Sequence, residues 1–138
     1  MLNRDEIEKI AQERNEQAKI IEKDYLLEMI LFLLQEYGSS LVFKGGTALY
    51  KLHRLNRFSE DLDFTLKGKI DTDKMMQTIM RKLQQAGISG RVKEVSIYRN
   101  QQNIRLELRG PLFDGNPYNA NVITINISMK EKLIYEAK

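Results

Sequence analysis

The first forty residues carry apolar positions at helical spacing. Asn3, with Glu6 three residues later, is typical of a capping box at the start of a helix. The apolar positions that follow recur within an otherwise polar stretch, which predicts an amphipathic surface helix. A second helix is predicted from about Glu22 to Tyr37, and because it is apolar on most sides we expect it to be buried. The apolar positions of the first helix are Ile7, Ile10, Ala11 and Ala18.

The middle of the chain alternates between strand and helix patterns. Leu41–Phe43 is a short apolar strand that ends at a glycine turn, and a short helix is expected over about 47–54. Residues 61–66 alternate between polar and apolar, which indicates a strand with one buried face. A further helix, capped by Asp71 or Thr72, follows. Its single apolar stripe comprises Met75, Met76, Ile79, Met80, Leu83 and Ala86, and Gly87 ends it.

The last third of the chain changes to the period of strands. Residues 110–121, which contain both prolines and an Asp-Gly-Asn turn, separate two of these strands as a loop. Two helices, then a βαβα series, then strands predict an α+β fold: a mixed β-sheet flanked by helices, with a two-helix N-terminal segment. The three final strands are predicted at Val92–Tyr98, Ile104–Leu108 and Val122–Ile127.

Length and composition fit one globular domain. The 138 residues are 42% hydrophobic and 30% charged, and we expect N-terminal helices in 1–40 followed by a catalytic-type core in 41–138. The 22 Lys and Arg residues against 19 Asp and Glu are compatible with phosphate-bearing partners without requiring them. The absence of cysteine excludes thiolate metal sites, and a single histidine excludes the usual multi-histidine zinc sites. With no apolar leader and no long apolar run, we expect a cytoplasmic protein without membrane partners.

Two aspartates at alternate positions of a predicted strand are the first candidate for chemistry. Asp61 and Asp63 project from the same face, and two like charges held this close are best tolerated with a cation between them. Hard carboxylate oxygens select Mg²⁺ or Mn²⁺, the ions of two-metal phosphoryl transfer. An isolated D-x-D is also common on a strand whose polar face is simply in water.

A glycine turn upstream favours the chemical interpretation. Gly45, Gly46 and Thr47 lie between a predicted strand and a predicted helix, where exposed backbone N–H groups favour an anion and the missing Cβ allows close approach. The turn is neither a Walker loop nor a Rossmann fingerprint. The fourteen residues 47–60 would allow the aspartate strand to return beside the turn. Together these elements predict one site for a metal-bound nucleoside triphosphate.

The stretch FKGGTALYKLHRLNRFSEDLDF, residues 43–64, resembles the signature of DNA-polymerase-beta-like nucleotidyltransferases and, more narrowly, the AbiEii/AbiGii toxin family. Flanking segments match over most of 22–131. The resemblance implies metal-dependent transfer of a nucleotide from an NTP to an acceptor hydroxyl, in a toxin-antitoxin or phage-defence system, with tRNA or a protein as acceptor and a cognate antitoxin. It implies that Gly45, Gly46, Thr47, Ser59 and Arg57 bind the nucleotide, while Asp61 and Asp63 hold Mg²⁺ or Mn²⁺ and act in catalysis.

The sequence departs from the family pattern in two places. Where such enzymes commonly carry a third carboxylate, this chain has Asn126, a poorer metal ligand; Glu107 on a neighbouring predicted strand is the substitute candidate for a catalytic carboxylate. The helical region with which the family usually continues does not follow Lys138. An alternative is therefore a catalytically impaired domain of the same fold that binds nucleotide or a partner. A third is a structural α/β interaction domain whose D-x-D is solvated.

Overall fold

A computed structural model describes residues 2–43 and 61–129 of the chain. These residues form three α-helices and five β-strands, together with short 3₁₀ turns at Gln35–Tyr37 and Pro117–Asn119. The helices are α1 (Arg4–Arg14), α2 (Ala18–Leu34) and α3 (Thr72–Gln85). The strands are β1 (Leu41–Phe43), β2 (Asp61–Leu66), β3 (Ser89–Tyr98), β4 (Gln101–Arg109) and β5 (Asn121–Ser128).

The five strands form one mixed sheet in the order β1-β2-β5-β4-β3, which confirms the predicted mixed sheet. The pairs β1–β2, β5–β4 and β4–β3 are antiparallel, whereas β2 and β5 run parallel. The last of the described strands, β5, therefore occupies the centre of the sheet. A parallel pair needs a long crossover, and here α3, β3 and β4 all lie between the two strands in sequence.

One face of the sheet and two helices enclose the core. Alternation along the strands places apolar residues on this face, where α2 and α3 cover them. The apolar stripe predicted for α3 is buried at four of its positions, and Asp71 caps this helix by accepting a hydrogen bond from the Lys74 backbone N–H. No helix in the described ranges is both long and apolar enough to cross a bilayer. The strand residues of the core are Leu41, Leu62, Phe64, Leu66, Ile104, Leu106, Leu108, Ile123, Ile125 and Ile127.

The boundary between the two N-terminal helices differs from the prediction. The capping box of Asn3 and Glu6 is confirmed, but α1 ends at Arg14 because Asn15 adopts the left-handed conformation, with φ of 53°. Ala18, which the sequence pattern placed in the first helix, begins α2 instead, so the predicted start at Glu22 was four residues late. The sequence masks this break because neither glycine nor proline marks it.

The strands β3 and β4 form a longer hairpin than predicted, since each begins three residues earlier. Gly90 explains part of the extension: a Cβ there would lie 2.6 Å from the Glu107 carbonyl oxygen and 2.7 Å from the Leu108 side chain. Only glycine allows β3 to approach β4 this closely. At the other end Arg99 has a φ of 55°, as a tight two-residue connection requires.

A buried carboxylate fastens the long loop before β5 to α2. Glu22 is only 2% exposed; its Oε2 accepts a hydrogen bond from the Leu112 backbone N–H at 2.6 Å and its Oε1 one from Asn121 Nδ2 at 2.7 Å. A Cβ on Gly110 would lie 2.6 Å from Glu22 Oε2, so glycine leaves the space that this carboxylate fills. A buried charge is tolerated when both oxygens are bonded in this way. The contact fixes where β5 enters the sheet.

Candidate functional site

The two aspartates lie on β2 as the alternating sequence pattern predicts. Asp61 and Asp63 are exposed, while Leu62 and Phe64 between and beside them are buried in the core. Strand geometry puts the Cα atoms of the aspartates about 7 Å apart with both side chains on the polar face of the sheet. The core side of β2 holds the strand in place because its apolar residues cannot leave the helix-covered face. The aspartates are thus presented from a rigid element.

The parallel strand β5 supplies the neighbours of both aspartates. Thr124 is the register partner of Asp61, and Asn126 is the register partner of Asp63. The Nδ2 group of Asn126 donates a hydrogen bond to Oδ1 of Asp63 at 2.9 Å. Residue 126, where the resemblance expects a third carboxylate, therefore contacts one of the two aspartates, Asp63. Its amide orients Asp63 through a hydrogen bond.

The antiparallel strand β1, which precedes the predicted glycine turn in the sequence, lies next to the aspartate strand. Phe43, the last residue of β1, lies opposite Phe64, whose chain neighbour is Asp63, and the two phenylalanine rings are 5.3 Å apart between centroids. The strand that precedes Gly45 and Gly46 in the sequence therefore lies directly beside β2. The predicted nucleotide-binding residues Gly45, Gly46, Thr47, Arg57 and Ser59 lie outside the described residues and stay predictions.

Glu107, the substitute candidate for the third carboxylate, lies apart from the aspartates. Its strand, β4, is separated from β2 by β5, a distance of about 10 Å, and its register partner on β5 is Val122 rather than Thr124 or Asn126. Its Oε1 accepts a hydrogen bond from Arg91 Nε at 3.2 Å, and this contact lowers the pKa of the Glu107 carboxyl below its ordinary value. The Glu107 side chain thus contacts Arg91 of β3 and does not lie beside Asp61 and Asp63.

The oxygen atoms at this position suit a hard divalent cation. Asp61 and Asp63 offer carboxylate oxygens, and the hydrogen bond made by Asn126 Nδ2 leaves its carbonyl oxygen available beside them. Within 2–43 and 61–129 no group of three or more His, Cys, Asp and Glu side chains is placed to hold a metal ion. The donor set in the described residues is therefore two carboxylates and one amide, which fits Mg²⁺ or Mn²⁺ with less negative charge than three carboxylates would supply.

The polar face beyond Asn126 contains residues that sequence reasoning did not single out. Asn103 of β4 lies opposite Asn126, and its Oδ1 accepts a hydrogen bond from Gln101 Nε2 at 3.2 Å. Thr124 lies between Asp61 and Arg105. All of them alternate with buried residues, which marks them as surface positions. These residues lie near the aspartates only because β5 and β4 follow β2 in the sheet, and a single sequence carries no local signal for that order.

A mixed sheet that presents D-x-D on an inner strand, beside a strand that precedes the two glycines in the sequence, is typical of a nucleotidyltransferase-type domain. Two solved structures share this fold. JHP933 from Helicobacter pylori matches with a TM-score of 0.55 at 23% identity over 83% of this chain and 46% of that one. A candidate nucleotidyltransferase from H. pylori matches with a TM-score of 0.52 at 24% identity over 79% of this chain and 44% of that one. The chain thus spans less than half the length of either protein.

The family model described as nucleotidyl transferase AbiEii toxin, type IV toxin-antitoxin system, matches residues 26–137. The chain belongs to this family, which confirms the resemblance noted in the sequence, and the predicted enzyme class, a transferase, is the class of the family. A comparison with curated proteins finds no significant match.

Proposed function

We propose that this chain is the nucleotidyltransferase of a toxin-antitoxin system and transfers a nucleotide from an NTP to an acceptor hydroxyl in the cytoplasm. One observation supports the proposal most: β2 carries Asp61 and Asp63 on one face, with Asp63 in register with Asn126, and it lies beside β1, the strand that precedes the predicted glycine turn. Family membership over residues 26–137 points to the same chemistry.

Each residue of the site has a distinct part in the proposed reaction. Asp61 and Asp63 would hold Mg²⁺ or Mn²⁺, which when bound neutralises triphosphate charge and acidifies the acceptor hydroxyl. Backbone N–H groups at Gly45, Gly46 and Thr47 would bind the triphosphate, with Ser59 and Arg57 adding contacts to phosphate. The acceptor hydroxyl gives its proton to water as its oxygen attacks the α-phosphorus, the bond from that phosphorus to the bridging oxygen breaks, and pyrophosphate leaves with the electron pair of that bond.

The proposal also includes an acceptor for the nucleotide and a cognate antitoxin. We expect the acceptor to be an RNA end such as tRNA, or a protein hydroxyl. A cognate antitoxin is expected because the family is the toxin of a type IV system. Glu107 is retained as the alternative catalytic carboxylate, although its contact with Arg91 and its distance from β2 favour Asn126 as the residue that completes the site.

Nucleotide transfer with labelled NTPs tests the proposal. The chain is incubated with each of the four α-labelled NTPs, with Mg²⁺ or Mn²⁺, and with bulk tRNA or total protein as acceptor. We expect transfer by the unaltered chain and at least a hundredfold loss in Asp61→Asn and in Asp63→Asn, because the carboxylates that bind the ion are lost. Asp5→Asn, the same change at an exposed position of α1, is the matched control and should retain full activity. Transfer that survives both site variants would refute the assignment.

A catalytically impaired, nucleotide-binding domain is the second candidate, and the amide at position 126 is the observation that favours it. Two carboxylates bind a divalent ion more weakly than three, so binding can persist where turnover does not. Thermal unfolding with and without NTP and Mg²⁺ separates the two candidates. Stabilisation by NTP that requires the metal and Asp63, in a chain that shows no transfer to any acceptor, would identify this second function.

A further inference from the structure

The outer edge of β3 is exposed over its whole length. Ser89–Tyr98 is the terminal strand of the sheet, and its other edge has no strand partner among the described residues. The apolar side chains on its core-facing side are also exposed: Val92 at 38%, Val95 at 47% and Ile97 at 66%. An edge strand of ten residues with apolar side chains on one face is a template for another strand.

A groove runs along the same edge, between β3 and α3. Its volume is about 660 Å³, and its floor is apolar, formed by residues such as Met76, Met80 and Ile104. Gln102, which is 7% exposed, also lines this groove. The groove and the strand edge form one continuous surface that lacks a covering element in this part of the chain.

The rim of the groove on α3 carries an ordered pattern of charge. Asp73, Gln77 and Arg81 are spaced four residues apart, so they follow one another along one side of the helix. Asp73 and Arg81 are eight residues apart, too distant to pair with each other, and neither forms an ion pair with another described residue. A second α3 packed antiparallel, with its Gln77 facing this Gln77, would bring each Asp73 opposite an Arg81.

The exposed edge of β3 can also pair with a second copy of itself in an antiparallel arrangement, as α3 can. If two copies of β3 pair about a two-fold axis between Lys93 and Glu94, Lys93 faces the partner's Glu94 and Val92 faces the partner's Val95. The irregular register between Val92 and Glu94 makes this pairing possible, because it places Val92 and Val95 on the same face of the sheet. Opposite charges and matched apolar pairs across strands stabilise such a contact.

The two patterns share one axis. Because α3 and β3 are joined by a connection of only three residues, they run antiparallel and distances can be counted from that connection. Gln77 lies about 12 Å from the end of α3, at about 1.5 Å per residue. The midpoint of Lys93 and Glu94 lies about 15 Å from the start of β3, at about 3.3 Å per residue. Gln77 on α3 and the midpoint of Lys93 and Glu94 on β3 therefore lie at the same height along the two elements, to within about 3 Å, the rise of one strand residue.

We propose that the β3 edge and the α3–β3 groove bind a second copy of this chain, forming a symmetric dimer whose sheet continues from one copy into the other. The surface is isologous, as a two-fold contact requires, since the same residues supply both halves. The polar face carrying Asp61 and Asp63 lies at the other side of the sheet order, on β2, so the contact leaves it open. The proposal concerns a surface remote from β2 and does not depend on nucleotide transfer.

Charge exchange at the rim of α3 tests the dimer directly. Sedimentation velocity and light scattering are measured on the 138-residue chain from 1 to about 100 μM. We expect a dimer whose dissociation constant rises about tenfold or more in Asp73→Arg and in Arg81→Asp, because each change replaces two attractive contacts with two repulsive ones. The double variant Asp73→Arg with Arg81→Asp restores both pairs in reversed sense and should return the constant towards that of the unaltered chain.

Lys9→Asp, an equal charge change on α1, is the matched control and should leave the dimer unchanged. Circular dichroism confirms that every variant is folded, so that loss of association is not loss of structure. A monomer at the highest concentration overturns the proposal, and so does a dimer that is insensitive to both single changes. Failure of the double variant to recover also overturns it, since recovery follows only from the antiparallel contact of α3 with itself.

Discussion

Replacing Asn126 with aspartate tests whether residue 126 belongs to a cation site. The change removes the hydrogen bond of 2.9 Å to Asp63 and puts a second negative charge in its place. Loss of the hydrogen bond costs about 1 kcal/mol. Two unit charges about 4 Å apart repel by about 1 kcal/mol in water and about 4 kcal/mol at a dielectric constant near 20. Since Asp63 is exposed, the lower value applies, and the total destabilisation is about 2 kcal/mol.

Thermal unfolding followed by circular dichroism measures this effect. For a chain of this size 1 kcal/mol shifts Tm by about 4 °C, so Asn126→Asp should unfold about 8 °C lower than the unaltered chain in EDTA. Millimolar Mg²⁺ should restore most of the difference, because a cation bound between the carboxylates removes their repulsion. Mg²⁺ should have a smaller effect on the unaltered chain, which carries one carboxylate fewer at this position.

Asn103→Asp is the matched control for that prediction. Asn103 lies on the same face but one strand beyond Asn126, about 10 Å from β2, and an aspartate there can still accept the hydrogen bond from Gln101. We expect little change in Tm and no dependence on Mg²⁺. Equal Tm values for Asn126→Asp in EDTA and in Mg²⁺, or equal behaviour of the two variants, would refute residue 126 as part of the site.

Three further predictions concern stability. Glu22→Ala should lower the free energy of unfolding by about 3–5 kcal/mol in urea titrations, because one buried and one part-buried donor lose a charged acceptor. Gly110→Ala should cost about 1–3 kcal/mol in the same assay, since its Cβ would meet the Glu22 carboxylate at 2.6 Å. The contact with Arg91 lowers the pKa of Glu107, so the ionised carboxylate stabilises the fold above pH 4.5, and this stabilisation is lost as the pH falls through the lowered pKa. The Tm of Glu107→Gln should therefore vary less with pH below 4.5 than the Tm of the unaltered chain.

Each of these three predictions has a control variant or an outcome that would contradict it. Glu8→Ala, at an exposed position of α1, should change the free energy of unfolding by less than about 0.5 kcal/mol. An equally small change in Glu22→Ala would contradict the stabilising role of the buried Glu22 carboxylate. Gly110→Ala should cost little once Glu22 is alanine, because the space is then free; an undiminished cost would contradict the steric explanation. Identical pH profiles with and without the Glu107 carboxyl would exclude its contact with Arg91 as a contributor.

Local periodicity was enough to predict most of the elements. The alternation of Asp61–Leu66 fixes a strand with two aspartates outward, and the stripe of α3 fixes its buried face, because both depend only on neighbours within a few residues. The end of α1 could not be read in this way, since Asn15 alone turns the chain. Predicted strand starts at residues 92 and 104 were late because polar residues at the start of an edge hairpin resemble a loop.

The composition of the site depended on information that local patterns lack. Asn126 and Glu107 both lie on alternating strands, and nothing within either strand tells which one adjoins β2. The order β2-β5-β4 follows from packing of the whole sheet and gives position 126 the contact with Asp63. The resemblance to the family pattern points to position 126, whereas charge alone favours Glu107 as a substitute carboxylate.

The central position of β5 governs when the site can assemble. A nascent chain that has reached Arg109 already contains both aspartates and the β3–β4 hairpin, yet it lacks the strand that joins β2 to that hairpin. Until residues 121–128 are synthesised, Asp63 has no neighbour on that side and the two halves of the sheet have no common partner. This order of events couples assembly of the site to the synthesis of residues 121–128, so a product that stops before β5 lacks the contact between Asn126 and Asp63.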